Sequence, residues 1–114
     1  KKLTIALSDH FDAERNLFVI AFMKDKPIEK IADILSESAD RFILTGLKED
    51  RAENPKKLYK LFEKYHKPIE ITREITYAVN LAKKLATTRD LICFTGSLQT
   101  VAEVKRHLGY EKYF

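Results

Sequence analysis

Four short apolar runs recur along the chain, and each is followed by apolar residues spaced three or four positions apart. The runs cover residues 16–22, 41–45, 69–72 and 91–94. Apolar runs of this length without polar alternation are typical of strands that are covered on both faces of a sheet. The sequence therefore predicts four strands, and it places 69–72 at the periphery because the neighbouring residues are polar.

Helical spacing of apolar positions predicts a helix after each of these strands. The predicted helices cover residues 28–37, 55–65, 72 or 73 to 86, and 98–108. Alternation of strand and helix at this period is typical of parallel strands joined by crossover helices. We therefore expect a Rossmann-like α/β fold with three layers, α/β/α, and a mostly parallel sheet of four or more strands. Residues 1–114 are expected to form a single domain.

The first ten residues predict an opening helix, because Leu3, Ile5, Ala6 and Leu7 can share one apolar side. A chain that opens on a helix and then alternates strand and helix lacks a first strand. We therefore expect a further strand before Lys1.

Composition narrows the class of protein. The chain has 114 residues, of which 45% are hydrophobic and 33% are charged, as in ordinary globular domains. No apolar run approaches the about 20 residues that span a bilayer, and no membrane partner is expected. The net charge of +4 comes from 21 basic and 17 acidic residues mixed along the chain, which argues against nucleic acid.

Two local features have ordinary structural interpretations. Lys56, Lys57, Lys60 and Lys64 are spaced as on the solvated face of a helix. The single cysteine, Cys93, lies in an apolar run, which is typical of a reduced core residue in a cytoplasmic protein.

The turn at Gly96–Ser97 is the strongest candidate for a binding site. It follows the strand 91–94, and ligands in open α/β sheets bind beyond the carboxyl ends of strands. Glycine lets a ligand approach the backbone, and the first turn of a helix favours an anion. Ser97 is equally suited to act only as the N-cap of the following helix. Both interpretations remain open.

Several chemistries have no motif in this sequence. No GxxxxGK[ST] or GxGxxG occurs, which excludes a P-loop and argues against a dinucleotide site. His10, His66 and His107 stand singly, so we expect no metal site. The turn at Ser97 lacks the second glycine of a GxSxG nucleophile elbow, and the strand ends lack the acidic cluster of a receiver domain. We expect no catalytic residue in this chain.

Three segments carry motifs in a recognisable order. The first is VIAFMKDK at 19–26, a strand followed by an Asp-Lys pair. The second is RFILT at 41–45, followed by the DRA loop at 50–52. The third is DLICFTGSL at 90–98, a strand that ends in Thr-Gly-Ser-Leu. Together they resemble, over nearly the whole chain, the C-terminal domain of folylpolyglutamate synthase/dihydrofolate synthase in the Mur ligase superfamily.

The resemblance implies ATP-dependent formation of an amide bond. In that family ATP converts a substrate carboxylate to an acyl phosphate, which the amine of the incoming amino acid attacks. L-Glutamate and folate or dihydropteroate would be the substrates. The resemblance places ATP and Mg²⁺ mainly outside this chain, in an N-terminal P-loop ATPase domain of the same polypeptide. The 114-residue chain alone is therefore expected to be inactive.

The resemblance also implies roles for individual residues. Ser97 and Gly96 match the family's glutamate side, while Asp25, Lys26 and Arg51 match loops that face the cleft. The chain lacks the family's Asp-x-Ala-His-Asn motif, which would precede the first residue. It also departs from the family after the Asp-Lys pair, where an acidic residue is usual and Pro27 stands instead. An interpretation of Asp25 and Lys26 as helix-entry residues, and of Arg51 as a solvated loop charge, therefore stays open.

Two alternatives remain at the level of sequence. One is a non-catalytic Rossmann-like module that binds a small anion at Gly96–Ser97. The other is the C-terminal domain of a different Mur-type amino-acid ligase. The sequence does not distinguish dihydrofolate synthase from folylpolyglutamate synthase activity.

Overall fold

The computed structural model describes residues 3–7, 15–48, 50–87 and 90–96. Within these ranges the strands are β1 (Leu3–Leu7), β2 (Arg15–Ala21), β3 (Arg41–Leu44), β4 (Ile69–Ile71) and β5 (Asp90–Gly96). The helices are α1 (Ile28–Ser36), α2 (Pro55–Phe62) and α3 (Ile75–Leu85), and a 3-10 helix (Glu63–Tyr65) extends α2. The four predicted strands and the first three predicted helices after them are thus confirmed, while the predicted helix 98–108 lies outside the described residues.

All five strands form one sheet in the order β1-β5-β2-β3-β4. β5, β2, β3 and β4 run parallel, and the pairing of β2 with β5 extends from Arg15 opposite Asp90 to Ala21 opposite Gly96. β1 pairs antiparallel with β5, beginning with Leu3 opposite Gly96. The mostly parallel sheet is confirmed, and β4 lies at its edge as the polar neighbours predict.

Helices cover both faces of the sheet, so the predicted three layers are also confirmed. Side chains of β2 alternate between the layers: Leu17, Val19 and Ala21 pack towards α3, whereas Phe18, Ile20 and the following Phe22 pack towards α1 and α2. Because both faces are buried, β2 is apolar at consecutive positions. No helix within the described ranges is long and apolar enough to cross a membrane.

Helix α2 begins where the sequence predicts. The side-chain oxygen of Asn54 accepts a hydrogen bond of 2.8 Å from the backbone N–H of Lys56, and Pro55 occupies the first turn. At the other end Phe62 is fully buried, and its ring lies edge-on to that of Phe42 with 4.9 Å between centroids. The cap and this aromatic contact fix α2 against the sheet.

The predicted opening helix is wrong, because Leu3–Leu7 is a strand. The segment reads LTIAL, in which large apolar residues alternate with smaller ones at the period of a strand. Pairing with β5, from Leu3 opposite Gly96 to Leu7 opposite Ile92, supplies the backbone hydrogen bonds that a helix would otherwise make. Leu3–Leu7 is therefore the antiparallel strand at one edge of the sheet. The expectation of a further strand before Lys1 stays a prediction.

Candidate functional site

The carboxyl ends of the four parallel strands lie along one edge of the sheet, here called the carboxyl edge. β5 ends at Gly96, β2 at Ala21, β3 at Leu44 and β4 at Ile71. The segments that follow are the β2 loop (residues 22–27), the β3 loop (residues 45–54) and residues 72–74. Because ligands in open parallel sheets bind beyond this edge, it is the candidate functional site.

Gly96 occupies the end of β5 in a conformation that suits glycine. It is buried, and its φ of 151° is one that side chains with a Cβ rarely adopt. Its backbone is fixed from both sides, opposite Ala21 of β2 and Leu3 of β1. Ser97 lies outside the described residues, so its role at a glutamate site and its role as an N-cap both stay predictions.

The β2 loop and the β3 loop are joined through their backbones. Residues 22–24 and 51–53 are connected by an antiparallel bridge between Met23 and Ala52 and by hydrogen bonds of 2.7 and 2.8 Å on either side of it. Such pairing outside the main sheet means that the long charged loop folds back onto the end of β2. The two loops therefore form one structural unit at the carboxyl edge.

This pairing brings together three of the residues that the sequence singles out. The backbone N–H of Lys24 donates to the carbonyl of Arg51 at 2.7 Å, and Asp25 and Lys26 follow directly in the same turn. The side chains of Asp25 and Arg51 are exposed, and Lys26 is half-buried. α1 has no side-chain cap, so Asp25 does not have the capping role that its position near Pro27 allowed. Contact of these residues with a ligand stays a prediction.

Sequence reasoning missed a second connection, between the ends of β3 and β4. The hydroxyl oxygens of Thr45 and Thr72 lie 2.6 Å apart, and the Thr72 hydroxyl also lies 3.2 Å from the carbonyl of Glu74. A Cβ on Gly46 would lie 2.7 Å from the carbonyl oxygen of Arg73. Gly46 follows the second predicted strand directly in the sequence, but its packing against a distant residue leaves no local signal.

A concave pocket of about 390 Å³ opens beside the β3 loop, and we call it the basic pocket. Its lining includes Lys24, Gly46, Glu53, Asn54, Lys57 and Arg73. The sequence assigns Lys57 to a solvated helix face, and no motif singles out Lys24 or Arg73. Their proximity arises only when α2 and the end of β4 come to the same edge of the sheet.

A second pocket, of about 250 Å³, lies at the opposite edge of the sheet, at the amino ends of the strands. Three of its charged groups have partners: Arg15 Nε lies 2.8 Å from Asp90 Oδ1, and Asp40 Oδ2 accepts from the backbone N–H of Asn16 at 2.7 Å. Arg41 also lines this pocket, and its Nε is buried without a hydrogen-bond partner among the described residues. These pairs hold the starts of neighbouring strands together. The pocket lies away from the carboxyl edge, where ligands of parallel sheets bind.

Cys93 is a core residue, as the sequence predicts. It is buried in β5, and desolvation raises the pKa of its thiol to about 11. The thiol therefore stays protonated at neutral pH and is a poor nucleophile. Within the part of the chain that the structure describes, no three His, Cys, Asp or Glu side chains are grouped so as to hold a metal ion.

Solved structures with the same fold include three folate enzymes. Mycobacterium tuberculosis folylpolyglutamate synthase, complexed with ADP and AMPPCP, matches with a TM-score of 0.78 and 21% identity over 87% of this chain and 24% of that one. E. coli FolC, in complex with DHPP and ADP, matches with a TM-score of 0.76 and 21% identity over 87% and 23%. The bifunctional folylpolyglutamate synthase/dihydrofolate synthase of Yersinia pestis, complexed with AMPPNP and a Mn ion, matches with a TM-score of 0.71 and 23% identity. This match covers 83% of this chain and 22% of that one.

The chain spans about a quarter of the length of these proteins. At such identities the likeness shows a shared fold. No curated protein sequence matches the chain. The family model described as "Mur ligase, glutamate ligase domain" matches residues 1–98, which is most of the chain. The chain therefore belongs to the Mur ligase family, as a glutamate ligase domain.

Proposed function

We propose that this chain is the C-terminal domain of a longer ATP-dependent folate–glutamate ligase, in which it helps to bind L-glutamate and closes over the cleft. The observation that carries the proposal is the position of Gly96 in the Thr-Gly-Ser-Leu turn. Gly96 is buried at the carboxyl end of a central strand of a glutamate ligase domain, in a backbone conformation that favours glycine. This is where a parallel sheet presents its backbone to a ligand.

The chemistry divides between this chain and the remainder of the enzyme. When bound, ATP with Mg²⁺ would supply the phosphoryl group that converts the folate or dihydropteroate carboxylate to an acyl phosphate with release of ADP, and the amine of glutamate would then displace phosphate. An N-terminal P-loop ATPase domain of the same polypeptide would bind ATP, Mg²⁺ and the folate or dihydropteroate. The described residues of this chain contain no group of metal ligands, so we assign no step at the metal to them. We place the enzyme in the cytoplasm.

The role of this chain is then to position the amino acid. A carboxylate of glutamate is the kind of anion that the Gly96–Ser97 turn would accept through backbone N–H groups and the serine hydroxyl. Asp25, Lys26 and Arg51 would contact the substrate or the facing domain, since loop pairing holds them at the same edge. Holding the amine of glutamate beside the acyl phosphate would make the attack effectively unimolecular and so lower its entropic cost.

A residue-level titration tests the glutamate site. We expect L-glutamate to shift the backbone amide signals of Thr95, Gly96 and Ser97 in ¹⁵N spectra of the chain, with a Kd of about 1 mM or weaker because only half of the site is present. Ser97→Ala should weaken this binding while leaving the spectrum well dispersed. L-Glutamine, which lacks the side-chain carboxylate, is the matched control ligand. Shifts that are unchanged by Ser97→Ala would contradict the assignment, whereas equal shifts with glutamine would identify the α-carboxylate as the group that the turn accepts.

An activity assay tests whether the catalytic groups lie outside this chain. The isolated chain, given ATP, Mg²⁺, L-glutamate and folate or dihydropteroate, should release no ADP above the rate without protein. Turnover that depends on the chain would show that it carries catalytic groups of its own.

A further inference from the structure

We propose that the basic pocket binds a small anion with at least two negative charges, held by Lys24, Lys57 and Arg73. These residues come from the β2 loop, α2 and the segment after β4. None of them belongs to the turn or loop residues assigned above to the glutamate site, and the inference does not rest on the proposed function.

The first support is that the three positive charges form no ion pair among the described residues. Ion pairs within 4.0 Å in the described part of the chain involve Arg15, Arg41 and Lys64. Lys24, Lys57 and Arg73 form none there, and all three are exposed. Like charges around one concavity repel each other and raise the local concentration of anions. An anion between them would relieve that repulsion.

The second support is that the three basic side chains offer hydrogen-bond donors to the pocket, whereas the nearby backbone N–H groups do not. The backbone N–H groups of Lys56 and Lys57 at the start of α2 are already bound to Asn54, to its side chain at 2.8 Å and to its carbonyl at 2.9 Å. An anion in the basic pocket therefore depends on the side chains. Two ammonium groups and one guanidinium provide charge-assisted hydrogen bonds, and the guanidinium can hold a carboxylate or phosphate with two parallel bonds.

The third support is an unpartnered oxygen. Glu53 lines the pocket, and its Oε1 is buried with no hydrogen-bond partner among the described residues. A buried acceptor without a donor is costly, and a ligand that carries a donor would satisfy it. Three cations and one carboxylate leave two net positive charges, which favour a ligand with two anionic groups or oxygens. Both a monohydrogen phosphate and an acidic amino acid combine two anionic oxygens or groups with a donor.

The volume of about 390 Å³ is at the lower end of ordinary ligand sites, which occupy about 300–1,000 Å³. It has room for a phosphate or a dicarboxylate. The shared chemistry is therefore a compact ligand that combines two anionic groups or oxygens with a hydrogen-bond donor, and two probes distinguish its sources.

The test is a ¹⁵N titration of the 114-residue chain with inorganic phosphate and, separately, with L-glutamate. We expect saturable shifts of the amides of Gly46, Leu47 and Lys57. The double variant Lys57→Gln/Arg73→Gln should weaken binding at least about tenfold, since it removes charge-assisted hydrogen bonds. Lys56→Gln removes the same charge from the same helical turn but not from the pocket lining, and should change the Kd by less than about twofold.

Stronger binding of phosphate identifies a phosphate site, and stronger binding of glutamate identifies a dicarboxylate site; either supports the proposal. Shifts that do not saturate, or an equal loss in Lys56→Gln, would show only general charge screening and overturn it. If the double variant does not give a folded spectrum, Lys24→Gln alone makes the same comparison. Glutamate shifts at Gly96 that Ser97→Ala abolishes report on the proposed substrate site, so the two proposals succeed or fail separately.

Discussion

Replacing Gly46 with alanine tests how the ends of β3 and β4 are held together. The new Cβ would lie 2.7 Å from the carbonyl oxygen of Arg73, closer than a carbon and an oxygen approach without repulsion. The obstructing atom belongs to the backbone, so no side-chain rotation relieves the contact. The strand ends must separate by several tenths of an ångström, and the bond between the Thr45 and Thr72 hydroxyls, now 2.6 Å, must lengthen or tilt.

Two effects of opposite sign determine how much Gly46→Ala changes the free energy of unfolding. Overpacking a close-packed site costs about 1–3 kcal/mol, whereas replacing glycine by alanine gains about 0.4–1 kcal/mol from the less flexible unfolded chain. That gain applies here because the φ of Gly46, unlike that of Gly96, is not positive. We therefore expect a net loss of about 1–2 kcal/mol in the free energy of unfolding, with a fall in Tm of about 3–10 °C for a domain of this size.

Urea unfolding followed by circular dichroism measures the change, with the m-value checking that two-state behaviour is kept. Gly46→Val should cost more than Gly46→Ala, and the amide signals of Thr72 and Arg73 should move in both variants. If the alanine variant were as stable as the natural chain and the amide signals of Thr72 and Arg73 did not shift, the reasoning would be refuted. The backbone at Arg73 could then move away from the new Cβ at no cost in free energy.

Three further variants or treatments probe the remaining structure. Asn54→Ala should lower the free energy of unfolding by about 1 kcal/mol in urea, because Lys56 N–H loses its cap, and Asn54→Ser should restore most of it; equal losses would exclude a capping effect. Phe62→Ala should lower the free energy of unfolding by about 3–5 kcal/mol because it leaves a cavity beside Phe42, and Phe62→Leu should lower it clearly less. Thermal unfolding measures both variants, and the opposite ranking would contradict this reasoning. Iodoacetamide at pH 8 should label Cys93 in urea but not in the native chain, and modification of the native protein at a similar rate would refute its burial. Since the pKa of this thiol rises from 9.0 to about 11 on folding, the unfolded thiol ionises first, and stability should fall as the pH rises through that interval.

The sequence predicts the central part of the fold because its signals are local and strong. Consecutive apolar residues in β2 reflect two buried faces, and the Asn54–Pro55 pair marks the start of α2. β1 is different, because the alternation in LTIAL is short and its apolar residues can also share one side of a helix. Its pairing with β5, more than 80 residues away in sequence, decides between strand and helix, and no window of the sequence contains that partner.

At the candidate site, too, local sequence signals predict some features, and contacts between distant residues determine the others. Gly96 is identifiable because a glycine between an apolar run and a helical pattern needs an explanation, and its φ provides one. The basic pocket is not identifiable, since Lys57 alone resembles any exposed helical lysine and Arg73 any loop residue. Their common property is a position in three dimensions, which depends on the crossing of α2 and the register of β4.

The bridge between Met23 and Ala52 has a mechanical consequence. A ligand or a neighbouring domain that displaces the Asp25–Lys26 turn must break the hydrogen bond from Lys24 or carry Arg51 with it. We therefore expect the two loops to move together, so that a displacement of one loop also displaces the other. Substitutions in the two loops should accordingly be non-additive, and a change in the length of either loop would be constrained by its partner.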